Sequence, residues 1–177
     1  CENGTDVYVR IIDYKTGKKD FNIVKTYYGI DIQLMVYMEA AMKLVAKMRP
    51  GKNVIPAGVF YYNISDPIVS ATTESAEEIE DKIKGELRLK GMVNSDKDIA
   101  EKMDNTEGTS LNIPVSRKAD GGFDSRRSKV MNTEQFNMLG RFVDVRAVDT
   151  ADRIAGGDIR RSPYKDGQFS SCDRCPY

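Results

Sequence analysis

Two strand-like segments enclose one long amphipathic helix, and this order constrains the fold more than any other feature of the chain. The apolar residues Val7, Val9 and Ile11 recur at every second position, which is the period of a β-strand that leads into residues 13–15. From Gly29 to Met48 they recur at steps of three and four, which predicts a helix. Residues 57–64 are rich in β-branched and aromatic side chains and predict a second, buried strand. This succession predicts a layered α/β domain.

Later segments predict more helices and one long loop. The helices lie at residues 74–89, 96–104 and 133–154. Ser95 is the expected N-cap of the second of these helices, and Asn132 that of the third. Residues 105–128 are rich in Gly, Ser, Asp and basic side chains. They predict a loop or a β-hairpin with its turn at 120–122.

We expect the whole chain, residues 1–177, to form a single domain. Its parts are the core motifs at 7–64, an insertion and loop region at 66–130, and a C-terminal helix and cysteine segment at 131–177. The first residue is Cys1 rather than Met, and a Cys-x-x-Cys pair lies just before the last residue. We therefore also expect that the chain is a piece of a longer protein.

The chain contains no histidine, which excludes several enzyme classes. Without an imidazole there is no Ser-His-Asp or Cys-His nucleophile pair, no His-ligated zinc and no nuclease with a histidine base. Any catalysis has to use carboxylates, lysine, tyrosine or a metal ion that they hold. The 27 basic and 27 acidic residues balance, although basic residues outnumber acidic ones between Ile113 and Lys165.

No apolar run approaches the roughly 20 residues that a membrane-spanning helix needs. The first residues also lack the basic and apolar pattern of a signal peptide. We therefore expect a cytoplasmic protein without a membrane partner.

Asp13 and Lys15 lie at the end of the first predicted strand. In an extended strand they face the same side, about 7 Å apart. This pair suits metal-assisted hydrolysis of a phosphodiester, because a carboxylate binds Mg²⁺ and an ammonium orients water or stabilises the developing charge. On spacing alone a surface salt bridge is the favoured explanation of this pair, because charged residues are common at strand ends.

Gln33 and Tyr37 lie four residues apart on the predicted long helix and therefore share a face. Both side chains can reach the strand end, Gln33 as a donor to a phosphate and Tyr37 beside it. Alternatively, Tyr37 belongs to the apolar stripe and is a core residue with its hydroxyl at the rim.

Taken in their order along the chain, these motifs resemble a known nuclease family. Residues 12–17, Ile-Asp-Tyr-Lys-Thr-Gly, and residues 33–37, Gln-Leu-Met-Val-Tyr, resemble the RecB-type branch of the PD-(D/E)XK nucleases, in which a D-Y-K-T/S-G strand precedes a Q-x-x-x-Y helix. Further segments look like the nuclease domains of AddB-type proteins, the B subunits of bacterial AddAB helicase-nucleases. These segments are at 56–62, 66–67, 89–91, 103–104, 163–165 and 172–176.

The resemblance implies a restriction-endonuclease-like core with a central mixed sheet flanked by helices. It also implies a metal-dependent exonuclease that cleaves single-stranded DNA at DNA ends, beside an AddA-type partner subunit, during recombinational repair of double-strand breaks. Asp13 would be a Mg²⁺ ligand and Lys15 the catalytic lysine, with Gln33 and Tyr37 flanking the active site. The family has a further metal-binding aspartate upstream, and nothing in residues 1–9 matches it. We therefore expect the chain to be inactive alone.

AddB-type domains hold a [4Fe-4S] cluster with one cysteine far upstream and three near the C-terminus. Cys172 and Cys175 match the first two of those three, so the resemblance implies an incomplete cluster site and no cluster on this chain. Without the resemblance, a Cys-x-x-Cys pair at this place is a zinc half-site, a redox pair or inert.

Two basic stretches are candidates for contact with the DNA backbone, and each is equally well explained as a solvated loop. Their residues are Arg126, Arg127 and Lys129 in the first stretch and Arg160 and Arg161 in the second. The chain has no phosphate-binding G-x-x-x-x-G-K-[ST] motif, so ATP hydrolysis has no place on it.

Two alternatives to a nuclease remain open at this stage. The first is a non-catalytic scaffold in which the same fold only binds DNA or a partner subunit. The second is a structural metal-binding module around Cys172 and Cys175. A scaffold does not need the full set of candidate site residues, so their joint presence argues against it. The set is Asp13, Lys15, Gln33 and Tyr37.

Overall fold

The computed structural model describes residues 1–64, 75–167 and 169–174. Within these ranges the elements follow the predicted order of strand, helix and strand. They are β1 (Glu2–Asn3), β2 (Asp6–Lys15), α1 (Ile23–Tyr27), α2 (Gln33–Met48), β3 (Asn53–Asn63), α3 (Ala76–Leu87), β4 (Lys90–Asn94), α4 (Lys97–Met103), β5 (Val130–Met131), α5 (Thr133–Ala155), β6 (Lys165–Asp166), β7 (Phe169–Ser170) and a 3₁₀ helix (Ser171–Arg174).

A mixed five-stranded sheet in the order β1-β2-β3-β4-β5 forms the centre of the fold. β2 and β3 are parallel, and α2 connects them, as expected for a crossover between parallel strands. β4 runs antiparallel to β3 and parallel to β5. The predicted α/β class, with a central mixed sheet flanked by helices, is confirmed.

Strand β3 contains one more residue than its partner β2, and this bulge sets the register. Val9 lies opposite Pro56 and Arg10 opposite Gly58, so Ala57 is the extra residue. From Arg10 onward the pairing continues without a break.

Beyond the bulge, one row of residues crosses three strands. Asp13 lies opposite Tyr61, and Tyr61 in turn lies opposite Lys90 of β4. Residues that pair across neighbouring strands point to the same face of a sheet. Asp13, Tyr61 and Lys90 therefore form a single row on one face.

Helices α2 and α5 cover the face that carries this row. Its core contains Val9, Leu34, Met35, Met38, Val59, Tyr61, Phe136 and Val143. The opposite face has a second core formed by Phe60, Val93, Ala100, Ile113 and Val115. Because both faces of β3 are covered, its residues from Pro56 to Tyr61 are all buried, which explains why this strand lacks an alternating pattern.

The long helices agree with the prediction apart from their ends. α2 begins at Gln33 rather than Gly29, because Gly29 has a φ of +80°, which lies outside the helical range. α5 has the predicted cap, a capping box in which the side chains of Asn132 and Gln135 each accept the other residue's backbone N–H.

The cap of α4 differs from the prediction. Asp96, and not Ser95, is the N-cap: its extended backbone lets the carboxylate accept the backbone N–H groups of Asp98 and Ile99. The strand β4 and the short helix α1 were not predicted, because five residues are too few for a clear period.

The region between α4 and β5 contains short β-bridges, Thr109 with Ser116 and Arg117 with Phe123, so it combines a loop with a small hairpin. The predicted turn is present at Gly121, which has a φ of +75°.

The buried carboxylate of Asp104 organises the start of this region. It accepts hydrogen bonds from the backbone N–H of Thr106 at 2.7 Å, the hydroxyl of Ser110 at 2.7 Å and the side-chain amide of Asn112 at 2.8 Å. Burial opposes ionisation, but these hydrogen bonds outweigh it and lower the pKa of Asp104 to about 2.

In the described parts of the chain, no helix combines the length and apolar character needed to cross a membrane.

Candidate active site

The first pair of predicted site residues lies at the carboxyl end of β2. The ammonium Nζ of Lys15 is 2.9 Å from Oδ2 of Asp13. The Lys15 side chain is 29% exposed and the Asp13 side chain 16% exposed. The pair therefore lies at the edge of the core, reachable from solvent but shielded on most sides, and is not a fully exposed surface salt bridge.

The first turn of α2 adds the second predicted pair. Lys15 Nζ donates a 2.8 Å hydrogen bond to Oε1 of Gln33, and Nε2 of Gln33 donates one of 2.8 Å to the hydroxyl of Tyr37. Tyr37 is 46% exposed, so it is not a core residue. The structure thus brings all four predicted residues into one connected chain of contacts from Asp13 to Tyr37.

One carboxylate oxygen among these four residues accepts no hydrogen bond. Oδ2 of Asp13 is buried and, among the described residues, has no hydrogen-bond partner. The Lys15 ammonium lies at ion-pair distance from this oxygen, but its direction does not give a hydrogen bond. An oxygen that accepts no hydrogen bond keeps its lone pairs available to a bound cation, and carboxylate oxygens are the ligands that Mg²⁺ prefers. Asp13 therefore fits the part of a Mg²⁺ ligand.

Asp13 does not complete a metal site by itself. The described residues contain no cluster of three or more Asp, Glu, Cys or His side chains that could hold a metal ion. Mg²⁺ commonly binds through one or two carboxylates and keeps several waters or substrate phosphate oxygens. The donor set around Asp13 fits this pattern with one carboxylate.

Tyr61 lies beneath both Lys15 and a second lysine, Lys19. The ring centroid of Tyr61 is 5.7 Å from Nζ of Lys15 and 5.8 Å from Nζ of Lys19. Lys19 also forms an ion pair with Asp31. Burial, followed by the charges of Asp31 and Asp13, raises the pKa of Tyr61 to about 12. Its hydroxyl therefore stays protonated at neutral pH.

Tyr61, Lys19 and Asp31 were not singled out from the sequence as site residues. Tyr61 reaches the site because β3 pairs with β2, a contact between distant segments. The closeness of Asp31 to Gln33, two residues later, was a local indication that the turn before α2 faces the site. Nothing local pointed to Lys19.

The two predicted basic stretches line different cavities. Arg127 and Lys129 line a groove beside the active site, and Arg126 is exposed next to them. Arg160 lines a cavity at the end of α5 and forms an ion pair with Asp158.

The remaining predicted residues have little structural context. Arg161 is exposed in the segment that follows α5. Cys172 is an exposed, free cysteine in the short 3₁₀ helix, and Cys1 is likewise free and exposed. Cys175 lies outside the described residues. An iron-sulfur cluster needs four ligands, so the cysteines of this chain do not fit a cluster by themselves.

A parallel strand pair joined by a helix, with Asp13 and Lys15 at the strand end, is the arrangement expected of a nuclease core of the restriction-endonuclease class. Comparison of the sequence with known families agrees with this class. Residues 2–177 match the PD-(D/E)XK nuclease superfamily, and the chain belongs to this superfamily.

Curated relatives are named as the B subunit of an ATP-dependent helicase/deoxyribonuclease. One from Thermoanaerobacter sp. (strain X514) is 37% identical over 178 residues, and one from Clostridium botulinum (strain Hall) is 39% identical over 172 residues. A third, from Ruminiclostridium cellulolyticum, is 38% identical over 179 residues. These alignments cover 99%, 96% and 100% of this chain but only 15% of each relative. The chain thus corresponds to a small part of proteins of that kind.

Proposed function

We propose that this nuclease domain hydrolyses phosphodiester bonds of single-stranded DNA with the help of Mg²⁺. It would do so as part of the B subunit of a bacterial helicase-nuclease, located in the cytoplasm, that processes broken DNA ends for recombinational repair beside an A-type partner subunit. The relatives' names support the substrate and the assembly. The observation that carries the chemistry is the donorless Oδ2 of Asp13 within the contact chain to Tyr37.

Each residue of the chain of contacts has a distinct part in this proposal. Asp13 would bind Mg²⁺ through Oδ2, and bound Mg²⁺ supplies Lewis-acid polarisation of the phosphate and a more acidic water. Lys15 places a positive charge beside that position, where it stabilises the negative charge that develops on the phosphate oxygens. Gln33 accepts one N–H of Lys15 and so fixes the direction of the ammonium, and Tyr37 in turn holds Gln33.

The full metal site and the cluster would need residues beyond this chain. The resemblance to AddB-type domains implies a second metal-binding aspartate upstream and two further cysteines. We propose that the complete polypeptide holds a [4Fe-4S] cluster through Cys172, Cys175 and those cysteines. The present chain by itself is expected to bind Mg²⁺ weakly.

The decisive variant is Asp13→Asn in the complete polypeptide that contains this chain. It removes the charge that binds the metal and keeps the size of the side chain. We expect DNA cleavage to fall by about 1,000-fold or more while unwinding by the helicase-nuclease continues. Asp144→Asn is the matched control, because Asp144 also forms an ion pair with a lysine, Lys43, but on the surface between α2 and α5.

The outcome separates the nuclease from the scaffold. A nuclease loses cleavage with Asp13→Asn and keeps it with Asp144→Asn. If Asp13→Asn cleaved DNA at the parental rate, the assignment of the active site would be wrong, and the scaffold alternative would gain support.

A further inference from the structure

A groove with strong positive charge opens beside the active site; we call it the basic groove. It has a volume of about 380 Å³. Six cationic side chains line it: Lys18, Lys19, Arg88, Lys90, Arg127 and Lys129. Among the residues that the structure describes, only two carboxylates, Asp20 and Glu86, line it with them. The molecule as a whole has no net charge, so this excess is a local feature.

Three of the six cations already have partners within the protein. Lys19 pairs with Asp31, and Lys129 pairs with Asp20 at 2.5 Å. The half-buried guanidinium of Arg88 donates to two backbone carbonyls of the loop between α4 and β5, at 2.8 and 3.0 Å.

The other three cations have almost no neutralising partner. Within the described residues, Lys18 and Lys90 have no carboxylate at ion-pair distance. The Lys90 ammonium donates a hydrogen bond to the carbonyl of Gly85, at 3.4 Å. Arg127 has Asp124 at 3.9 Å, and its side chain is 71% exposed. Charges left free in this way are available to a ligand with several negative charges.

The fold fixes the basic groove next to the catalytic residues. Lys90 belongs to the same row as Tyr61 and Asp13, two strand spacings or about 10 Å from the metal-binding carboxylate.

On the other side of the groove, the side-chain amide of Asn63 bonds both the backbone N–H and the C=O of Lys19, at 3.0 and 3.1 Å. These two bonds tie the segment after β2 to the end of β3. The neighbouring Lys18 is thereby held at the groove. A ligand beside Lys90 would thus lie about 10 Å from Asp13, two strand spacings away.

We propose that the basic groove holds the phosphate backbone of the DNA strand on one side of the bond that is cleaved, through Lys18, Lys90 and Arg127. This inference rests on the proposed function and adds the path of the substrate. Within the described ranges, the residues that line the groove include no aromatic side chain on which a base could stack. The groove therefore contacts phosphates rather than bases, which gives a grip without sequence preference.

The test compares two triple variants of the complete polypeptide. The groove variant carries Lys18→Gln, Lys90→Gln and Arg127→Gln. The control variant carries Lys47→Gln, Lys97→Gln and Lys118→Gln, and these exposed lysines lie away from the carboxyl ends of β2 and β3. For each, kcat and KM for a single-stranded oligonucleotide are measured at several salt concentrations.

Loss of three phosphate contacts should raise KM about tenfold at low salt and leave kcat within about twofold. The slope of log(kcat/KM) against log[salt] should become shallower by about 2, because each contact to a single strand contributes about 0.7. Lys18→Gln alone, in an exposed turn, should change the slope by about 0.7. If the groove variant had the same slope of log(kcat/KM) against log[salt] as the parent and the control variant, the proposal would be wrong.

A second measurement separates this proposal from the proposed function. An oligothymidylate with photoreactive thiothymidine is crosslinked to the parent and to the groove variant, and the crosslinked peptides are mapped by mass spectrometry. If the parent does not cleave DNA, the proposed function fails, but crosslinks at residues 18–20 and 127–129 that the groove variant loses still support the groove. Crosslinks confined to other segments would refute it.

Discussion

The ammonium of Lys15 donates a 2.8 Å hydrogen bond to Oε1 of Gln33. This bond joins the last residue of β2 to the first residue of α2, so the strand end and the helix start hold each other in place. The same ammonium faces Asp13 at 2.9 Å. The position of this charge in the candidate active site therefore depends on the helix as well as on the strand.

Replacing Gln33 should leave the Lys15 ammonium without its contact to α2. In the complete polypeptide, Gln33→Leu removes the acceptor for Lys15, and we expect kcat for DNA cleavage to fall by about 10- to 100-fold, because small displacements of a catalytic group have effects of this size. Tyr37→Phe removes only the hydroxyl that holds Gln33, so its effect should be below about tenfold. Single-turnover cleavage measures both. Parental rates with Gln33→Leu would show that Lys15 does not need this bond.

Tyr61 should act through its ring and not through its hydroxyl. Because its pKa is raised to about 12, the hydroxyl stays neutral throughout an assay between about pH 6 and 10. Tyr61→Phe should therefore leave the shape of the pH–rate profile unchanged. Tyr61→Leu removes the ring below two ammonium groups and should reduce cleavage about tenfold. A pH–rate profile that loses one limb in the Phe variant would contradict this assignment.

Local patterns in the sequence predicted which of the candidate site residues share a face, and the resemblance to a nuclease family joined them into one predicted site. The two-residue period of β2 placed Asp13 and Lys15 on one face, and the four-residue spacing of Gln33 and Tyr37 placed them on one side of α2. Each of these relations lies within a single element. The chain of contacts then follows once the strand and the helix pack together.

The rest of the site depends on pairing between distant segments. Tyr61 faces Asp13, and Lys90 joins the row, only because β3 lies between β2 and β4 in a particular register. That register includes a bulge at Ala57, which no local sequence pattern predicts. β4 itself has two consecutive apolar residues and a glycine, and such a short segment does not show the period of a strand.

Asp104 should be important for stability. Asp104→Ala leaves the three donors that its carboxylate now satisfies without an acceptor, and we expect the free energy of unfolding to fall by about 2–4 kcal/mol. Glu101→Ala, an exposed carboxylate on α4, is the control and should change little. Urea denaturation followed by circular dichroism measures both. Equal effects of the two variants would contradict the part assigned to Asp104.

The same residue predicts how stability depends on pH. The pKa of Asp104 in the folded chain is about 2, below its ordinary value of 3.8. Its ionised form therefore contributes stability above about pH 4, and this contribution is lost as the pH falls towards 2. The difference in stability between the parent and Asp104→Asn should shrink over that interval. A difference that stays constant from neutral pH to pH 2 would show that the charge is not involved.

Two glycines should respond differently to alanine. At Gly91 in β4 an added Cβ would lie 1.9 Å from the backbone oxygen of Val59, so a strand would have to move, and we expect a loss of about 3 kcal/mol or more. At Gly140 in α5 it would lie 1.7 Å from Oε1 of Glu39, the end of a flexible side chain.

Because alanine also favours a helix by about 1 kcal/mol, Gly140→Ala should change stability by no more than about that amount. Thermal unfolding of the two variants compares them. A larger loss at Gly140 than at Gly91 would show that the packing of α2 on α5 is the more rigid of the two contacts.

Iron analysis should separate this chain from the complete polypeptide. The chain supplies Cys172 and Cys175 near one end and Cys1 at the other, whereas a [4Fe-4S] cluster needs four thiolates in one place. We expect substoichiometric iron and no cluster absorption after anaerobic purification of this chain. Stoichiometric iron and sulfide bound to it would refute this ligand count.

Deletion of one residue would affect the strand register differently in the two halves of β3. The half from Gly58 to Tyr61 is hydrogen-bonded to β4 as well as β2, whereas Asn53 to Pro56 pair with β2 alone. A slip by one residue turns side chains to the other face of a sheet, and it occurs where fewer bonds oppose it. The bulge at Ala57 thus confines such a slip to the half that lies away from Asp13. The pairing that places Asp13 opposite Tyr61 therefore lies in the half of β3 that is held from both sides.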